Sequence, residues 1–247
     1  MKKSLSPFLL AALALCGGAA PAAAAKAAGM AVFTEGSVKL RRPALAGAPL
    51  AAGDRLYLGD VVETGPASRA ALVLLYGSEV RLNENTALEF VSGAASRDAV
   101  KVGRGQVWTR LLHHRGGLSI ATPAAVCVVR GTEADVRQDE VLTVKVYEGR
   151  VDVKNKAGEV SLRAGQMTSV TGPLAKPAPP LRLRSGSAGE WQEGATSPDI
   201  ESFLERLEAG EAPGGTLRFN VNGGGGATRD VKIRLKKKDA GSRPGGE

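Results

Sequence analysis

The feature that most constrains this chain is a succession of short strand-like segments, jointed at glycines, running from residue 30 to residue 175. Val38-Lys39-Leu40-Arg41 alternates apolar and basic residues, Arg55 to Thr64 carries a second such pattern, and Val80 and Leu82 alternate with Glu79 and Arg81. Alternation sends successive side chains to opposite faces, as a half-buried strand requires. Ala70 to Tyr76 and Val126 to Val129 are instead continuous apolar runs, the pattern of strands covered on both faces. The clearest alternation lies in Leu142 to Asn155, where Val144 and Val146, then Val151 and Val153, flank a Glu148-Gly149 joint. No helical period interrupts the segment. Aromatic residues are 4% of the chain, so the core must be built from Val, Leu, Ile and Ala, and 32 glycines and 13 prolines supply the turns. The expected fold is mainly β: a sandwich or roll of many short strands.

The segment also echoes itself. Glu63-Thr64-Gly65-Pro66, an apolar run and Gly77-Ser78-Glu79-Val80 are answered by Ala121-Thr122-Pro123, a second run and Gly131-Thr132-Glu133-Ala134. Val102-Gly103-Arg104-Gly105-Gln106-Val107 is answered by Val146-Tyr147-Glu148-Gly149-Arg150-Val151. The unequal spacings point to a duplicated half-domain, not to a repeat array.

The flanks differ in character. Lys2 and Lys3, the apolar stretch Leu5 to Leu15 and the alanine-rich Gly17 to Ala25 have the order of a cleaved secretion signal spanning residues 1–25. The apolar stretch is shorter than the roughly 20 residues that span a bilayer, so no transmembrane segment is expected after cleavage. Cys16 follows Leu15, which is larger than the residue that normally precedes a lipidated cysteine. Cleavage would leave Cys127 as the remaining thiol and lower the net charge of +8 by two. Beyond the β segment, residues 176–196 read as a linker that continues a proline-rich stretch, Gly172 to Pro180. A short helix is expected over 197–210, with Ser197 as N-cap and Ile200, Phe203, Leu204 and Leu207 on one face. A hairpin over 216–235 turns at Asn222-Gly223, and a basic tail over 236–247 opens with Lys236-Lys237-Lys238.

In its ordered motifs the β segment resembles the FecR domain family. They are Gly53-Asp54-Arg55-Leu56, Gly59-Asp60-Val61-Val62-Glu63-Thr64-Gly65, Ser68-Arg69-Ala70, and Gly77-Ser78-Glu79-Val80-Arg81-Leu82-Asn83-Glu84-Asn85-Thr86. Gly103-Arg104-Gly105-Gln106-Val107-Trp108, Ala121-Thr122-Pro123 and Val129-Arg130-Gly131-Thr132-Glu133 follow. The series closes with Val146-Tyr147-Glu148-Gly149-Arg150-Val151-Asp152-Val153 and Ala164-Gly165-Gln166. The best-known members of that family are membrane-anchored regulators of iron uptake, whose cytoplasmic part binds a sigma factor and whose periplasmic part senses an outer-membrane transporter. About four residues precede the apolar segment here, so no sigma-binding region is expected. The resemblance implies a β-rich extracytoplasmic domain that contacts other molecules.

The residues offer little sign of catalysis. Cys127 lies among valines and reads as a buried small hydrophobe. Adjacent strand residues His113 and His114 point to opposite faces and cannot readily share one metal. The carboxylates are dispersed, and Gly103-x-Gly105 lacks the context of a phosphate loop. Trp108 and Tyr147 fall in strand patterns and read as core. The expectation is a non-enzymatic binding or scaffolding module of the bacterial envelope, with no catalytic, cofactor or metal residues. It would be exported to the periplasm or cell surface and meet envelope proteins or anionic polymers, not nucleic acid. The alternative is a regulatory sensor working with a separate membrane protein. Candidate partner contacts are Ile200, Phe203, Leu204, Leu207, Lys236, Lys237 and Lys238.

Overall fold

The computed structural model describes residues 26–43, 46–93, 98–111, 117–131, 133–184, 190–195, 216–222 and 228–234. In chain order the strands are β1 (Ala27–Glu35), β2 (Val38–Arg41), β3 (Ala48–Pro49), β4 (Arg55–Tyr57), β5 (Val61–Thr64) and β6 (Arg69–Leu74). Then come β7 (Ser78–Leu82), β8 (Ala87–Phe90), β9 (Asp98–Leu111), β10 (Leu118–Ala121), β11 (Val126–Val129) and β12 (Glu133–Gln138). They are followed by β13 (Leu142–Glu148), β14 (Arg150–Asn155), β15 (Gly158–Arg163), β16 (Gln166–Val170), β17 (Leu181–Arg182), β18 (Thr216–Asn222) and β19 (Thr228–Arg234).

The first seventeen strands form two layers that share β9. Sheet A runs β4-β1-β6-β7-β9-β12-β13-β16-β17, and sheet B runs β3-β2-β5-β8-β9-β10-β11-β14-β15. The first half of β9 pairs with β8 and β10, its second half with β7 and β12. All pairings are antiparallel except β9 with β10. The fold is mainly β, as the alternation indicates.

The core lies between the layers. Leu72, Val80, Leu82, Val107, Val136, Val144 and Val146 of sheet A meet Val62, Leu88, Val100, Ile120, Cys127 and Val153 of sheet B, all buried. The clean alternation of β13 and β14 follows from this: Val144, Val146, Val151 and Val153 are the inward positions.

The internal duplication takes a definite form. β5 and β8 pair in sheet B while the hairpin β6–β7 folds over into sheet A. β11 and β14 pair in sheet B while the hairpin β12–β13 does the same. The sequence echo matched the run before Gly77 with Val126 to Val129. The structure aligns β6 with β12, one strand later, because every passage between layers carries similar turn residues. At the second pair of passages Gly131 and Gly149 touch: a Cβ on Gly131 would lie 2.4 Å from the Gly149 Cα.

Three local readings need correction. Val126 is exposed and Val128 half-buried, so β11 is covered on one face only. Leu75 and Tyr76 end their apolar run in an exposed turn. The stretch read as a linker is held to the domain at its start: Thr168 Oγ1 donates to the Ala178 carbonyl (2.6 Å), and β17 pairs with β16. A six-residue 3-10 helix, Glu190–Ala195, rests on β7, β1 and β6. β18 and β19 pair antiparallel, from Thr216 opposite Arg234 to Asn222 opposite Thr228. The helix expected over 197–210 and the tail over 236–247 lie outside the described residues. Among the described residues, no helix is long and apolar enough to cross a membrane.

Candidate functional site

The outward face of sheet A carries a polar lattice across four neighbouring strands. β7 contributes Glu79 and Arg81, β9 contributes Gln106, Trp108 and Arg110, β12 contributes Asp135 and Arg137, and β13 contributes Thr143 and Lys145. Register stacks them: Arg81 and Asp135 flank Trp108, Glu79 stands opposite Arg110, and Lys145 stands opposite Asp135. Residues two apart share a face, so four short alternating motifs build one surface only because these strands are neighbours.

Glu79 is its centre and is fully buried. Arg81 Nε donates to Glu79 Oε1 at 2.6 Å, and Arg110 Nε donates to Oε2 at 3.1 Å. Both guanidiniums lie over the Trp108 ring, 4.6 and 5.7 Å from its centroid. A buried carboxylate is tolerable because two cations share it, and the ring face favours those cations in turn. Asn83 Nδ2 donates to Gln106 Oε1 (3.0 Å), and Gln106 Nε2 donates to Asp135 Oδ2 (2.8 Å). Burial pushes the Asp135 carboxyl up to about 6, against the Gln106 hydrogen bond and the Lys145 charge. Tyr147 stands nearby: burial raises its hydroxyl above the ordinary tyrosine value, and the Asp135 and Glu133 charges push the same way.

The 3-10 helix helps to bury this face. Arg81 Nη1 donates to the main-chain carbonyl of Gln192 at 2.7 Å. The Trp191 indole lies beside Asp135 without reaching full hydrogen-bond geometry. The fit is incomplete. The buried N–H groups of Trp108 and Trp191 and the amide oxygen of Gln192 have no hydrogen-bond partner. Each such orphan costs about 1–3 kcal/mol. Past β12 the face opens into a groove of about 630 Å³, lined in part by Asp135, Arg137, Thr143 and Lys145.

The arrangement is suited to binding, with fixed donors and acceptors beside an aromatic ring. Among the described residues no group of three His, Cys, Asp or Glu side chains has the geometry to hold a metal ion. Cys127 faces the core, and burial pushes its thiol up to about 12, which leaves almost no reactive thiolate. Trp108, read from the sequence as core, is buried on the outer face instead. Ile200, Phe203, Leu204, Leu207, Lys236, Lys237 and Lys238 lie outside the described residues, as do His113 and His114. The sequence signal for the lattice was Glu79-x-Arg81, Gln106-x-Trp108-x-Arg110 and Glu133-x-Asp135-x-Arg137, but their convergence depends on strand order.

Residues 60–152, from β5 into β14, match the FecR protein family. Over that span the chain is similar to the FecR family. Every residue of the polar lattice falls within the matched span, whereas the 3-10 helix that covers it lies outside. Two crystal structures of a Parabacteroides distasonis protein described as a candidate anti-sigma factor are similar to the chain. Each is 19% identical with a TM-score of 0.47, and the matches cover 54% and 60% of this chain. The chain spans 65% and 72% of their respective lengths. No curated protein matches it.

Proposed function

We propose that the chain carries a FecR-type domain and that this domain is a non-enzymatic, extracytoplasmic sensing module that acts by binding another protein. The observation that carries this reading is the match of residues 60–152 to the FecR family together with the buried lattice inside that span. Fixed charges, an aromatic ring and unpaired indole groups suit recognition of a polypeptide. Export rests on the Lys-apolar-Ala order of residues 1–25.

Two measurements test the proposal. N-terminal sequencing of protein recovered from the envelope should show a chain beginning near residue 25, and a chain retaining Met1 would overturn export. Loss of the protein should change a restricted set of transcripts, and the purified protein should turn over no envelope substrate. An unchanged transcript profile would overturn the sensing role.

A second reading, a scaffold on anionic envelope polymers, is favoured by the net charge of +6 that remains when Lys2 and Lys3 leave with the signal, 31 basic against 25 acidic residues. It predicts retention on an acidic polysaccharide that falls steeply between low and high salt.

A further inference from the structure

We propose that the outer face of sheet A around Arg81, Trp108 and Asp135 is a docking surface for a short, aromatic-bearing segment of a partner protein, and that Glu190–Ala195 occupies it in cis. The inference rests on the protein-binding reading above and names the surface that serves it.

The seated segment displays the chemistry that the surface accepts. Arg81 takes a main-chain carbonyl, that of Gln192, which any peptide can offer. The Trp191 indole sits beside the Asp135 carboxylate. A peptide carrying an indole one residue before the captured carbonyl reproduces both contacts.

The cover is a poor permanent lid. It is six residues of 3-10 helix, a geometry with weaker hydrogen bonds than an α-helix. The Gln192 amide oxygen stays unpaired although buried, the Trp191 indole falls short of full hydrogen-bond geometry to Asp135, and the buried Trp108 N–H on the covered face has no hydrogen-bond partner. Elsewhere among the described residues the same deficit falls on Gln138 Oε1 of β12, while the hydroxyls of Thr64 and Thr86 and the carboxylate of Asp98 all have partners. The surface also lies inside the family-matched span and the cover outside it. A tethered segment competes through its high effective concentration, so a partner needs only to satisfy the orphaned groups better than the cis segment does.

The test uses the full chain and a synthetic peptide of residues 188–196 as the probe. Trp191→Ala removes the cis indole and leaves Trp108 as the sole tryptophan, an internal reporter. The peptide should bind this variant at least tenfold more tightly than the wild type, and binding should restore the protection of Trp108 from acrylamide quenching. In the wild type, amides of 190–195 should exchange with solvent at least a hundredfold faster than those of β7. Equal peptide affinity for both proteins, no binding to the folded variant, or a variant that no longer folds would each overturn the proposal, the last by making the segment part of the core. Exchange of 190–195 as slow as β7 would do so as well. A negative result here beside an altered transcript profile would leave the sensing role standing on another face.

Discussion

Two aspartates on the outward faces of the two sheets have opposite electrostatic fates. Asp135 on sheet A is nearly inaccessible, accepts from the neutral Gln106 amide, and is pushed up to about 6 by burial. Asp152 on sheet B also feels burial, but hydrogen bonds from Ser161 and Arg150, with the charges of Arg150 and Arg130, outweigh it and hold the carboxyl below its ordinary value. The guanidiniums over Asp152 stand more than half in solvent, at 2.8 and 3.2 Å from its oxygens. A charge kept by partners at the water's edge is ordinary surface chemistry. A charge kept under a cover, beside Glu79, Arg81 and Trp108, makes sheet A the face where desolvation costs must be met by geometry.

The largest effect that would sharpen this contrast is at Glu79. Glu79→Ala strands Arg81 and Arg110 without their shared carboxylate and should destabilise by about 3–5 kcal/mol in denaturant unfolding. A loss under about 1 kcal/mol would erase the distinction between the faces.

The next is a pH effect. Asp135 protonates near pH 6 when folded and near 3.8 when unfolded, so between those values the native state holds a proton that the unfolded chain has released. Stability therefore falls as pH rises from about 4 to 6, by on the order of 2–3 kcal/mol. Asp98, raised to about 6 mainly by burial, adds to the fall with the same sign. Melting across pH 4–8 should show the decline, and Asp135→Asn should flatten its own share of it. A decline of full size in that variant would remove Asp135 as a cause.

Asp152 should behave in the reverse sense. Its folded value is lowered, so its contribution is present above about pH 4 and is lost as pH falls through the folded value. Asp152→Asn should cost about 1 kcal/mol at neutral pH and progressively less as the pH falls through the folded value. Smallest of all, Glu63→Ala breaks the exposed Arg41–Glu63 pair (2.9 Å) on sheet B and should cost about 0–1 kcal/mol, less in high salt.

Much of the inward architecture was legible because it is local. Val144-x-Val146 and Val151-x-Val153 state their buried face within a few residues, and Gly149 at φ +79° marks the joint between them. The outward face of sheet A was not legible in that way. Glu79 and Arg81 look like a solvent-facing alternation, yet they are as buried as Val80 and Leu82, because β9 and the segment at 190–195 lie against them. Trp108 was assigned to the core on its strand pattern. Its outward position follows from parity with Arg110, and the Arg81 and Arg110 guanidiniums, brought from β7 and from β9 itself, lie over its ring. Val126 misled for the complementary reason: valine on an exposed strand face looks the same in sequence as valine under a second layer.

The single strand β9 belongs to both layers, and it changes layers around Gly105, at φ +96°, where a Cβ would lie 2.4 Å from Thr86. The two sheets are therefore stitched by one continuous thread of backbone, and no cut of the chain on either side of it yields a free-standing half. In a duplication built this way the copies have become tenants of a common beam, and a side chain at position 105 would disturb both floors at once.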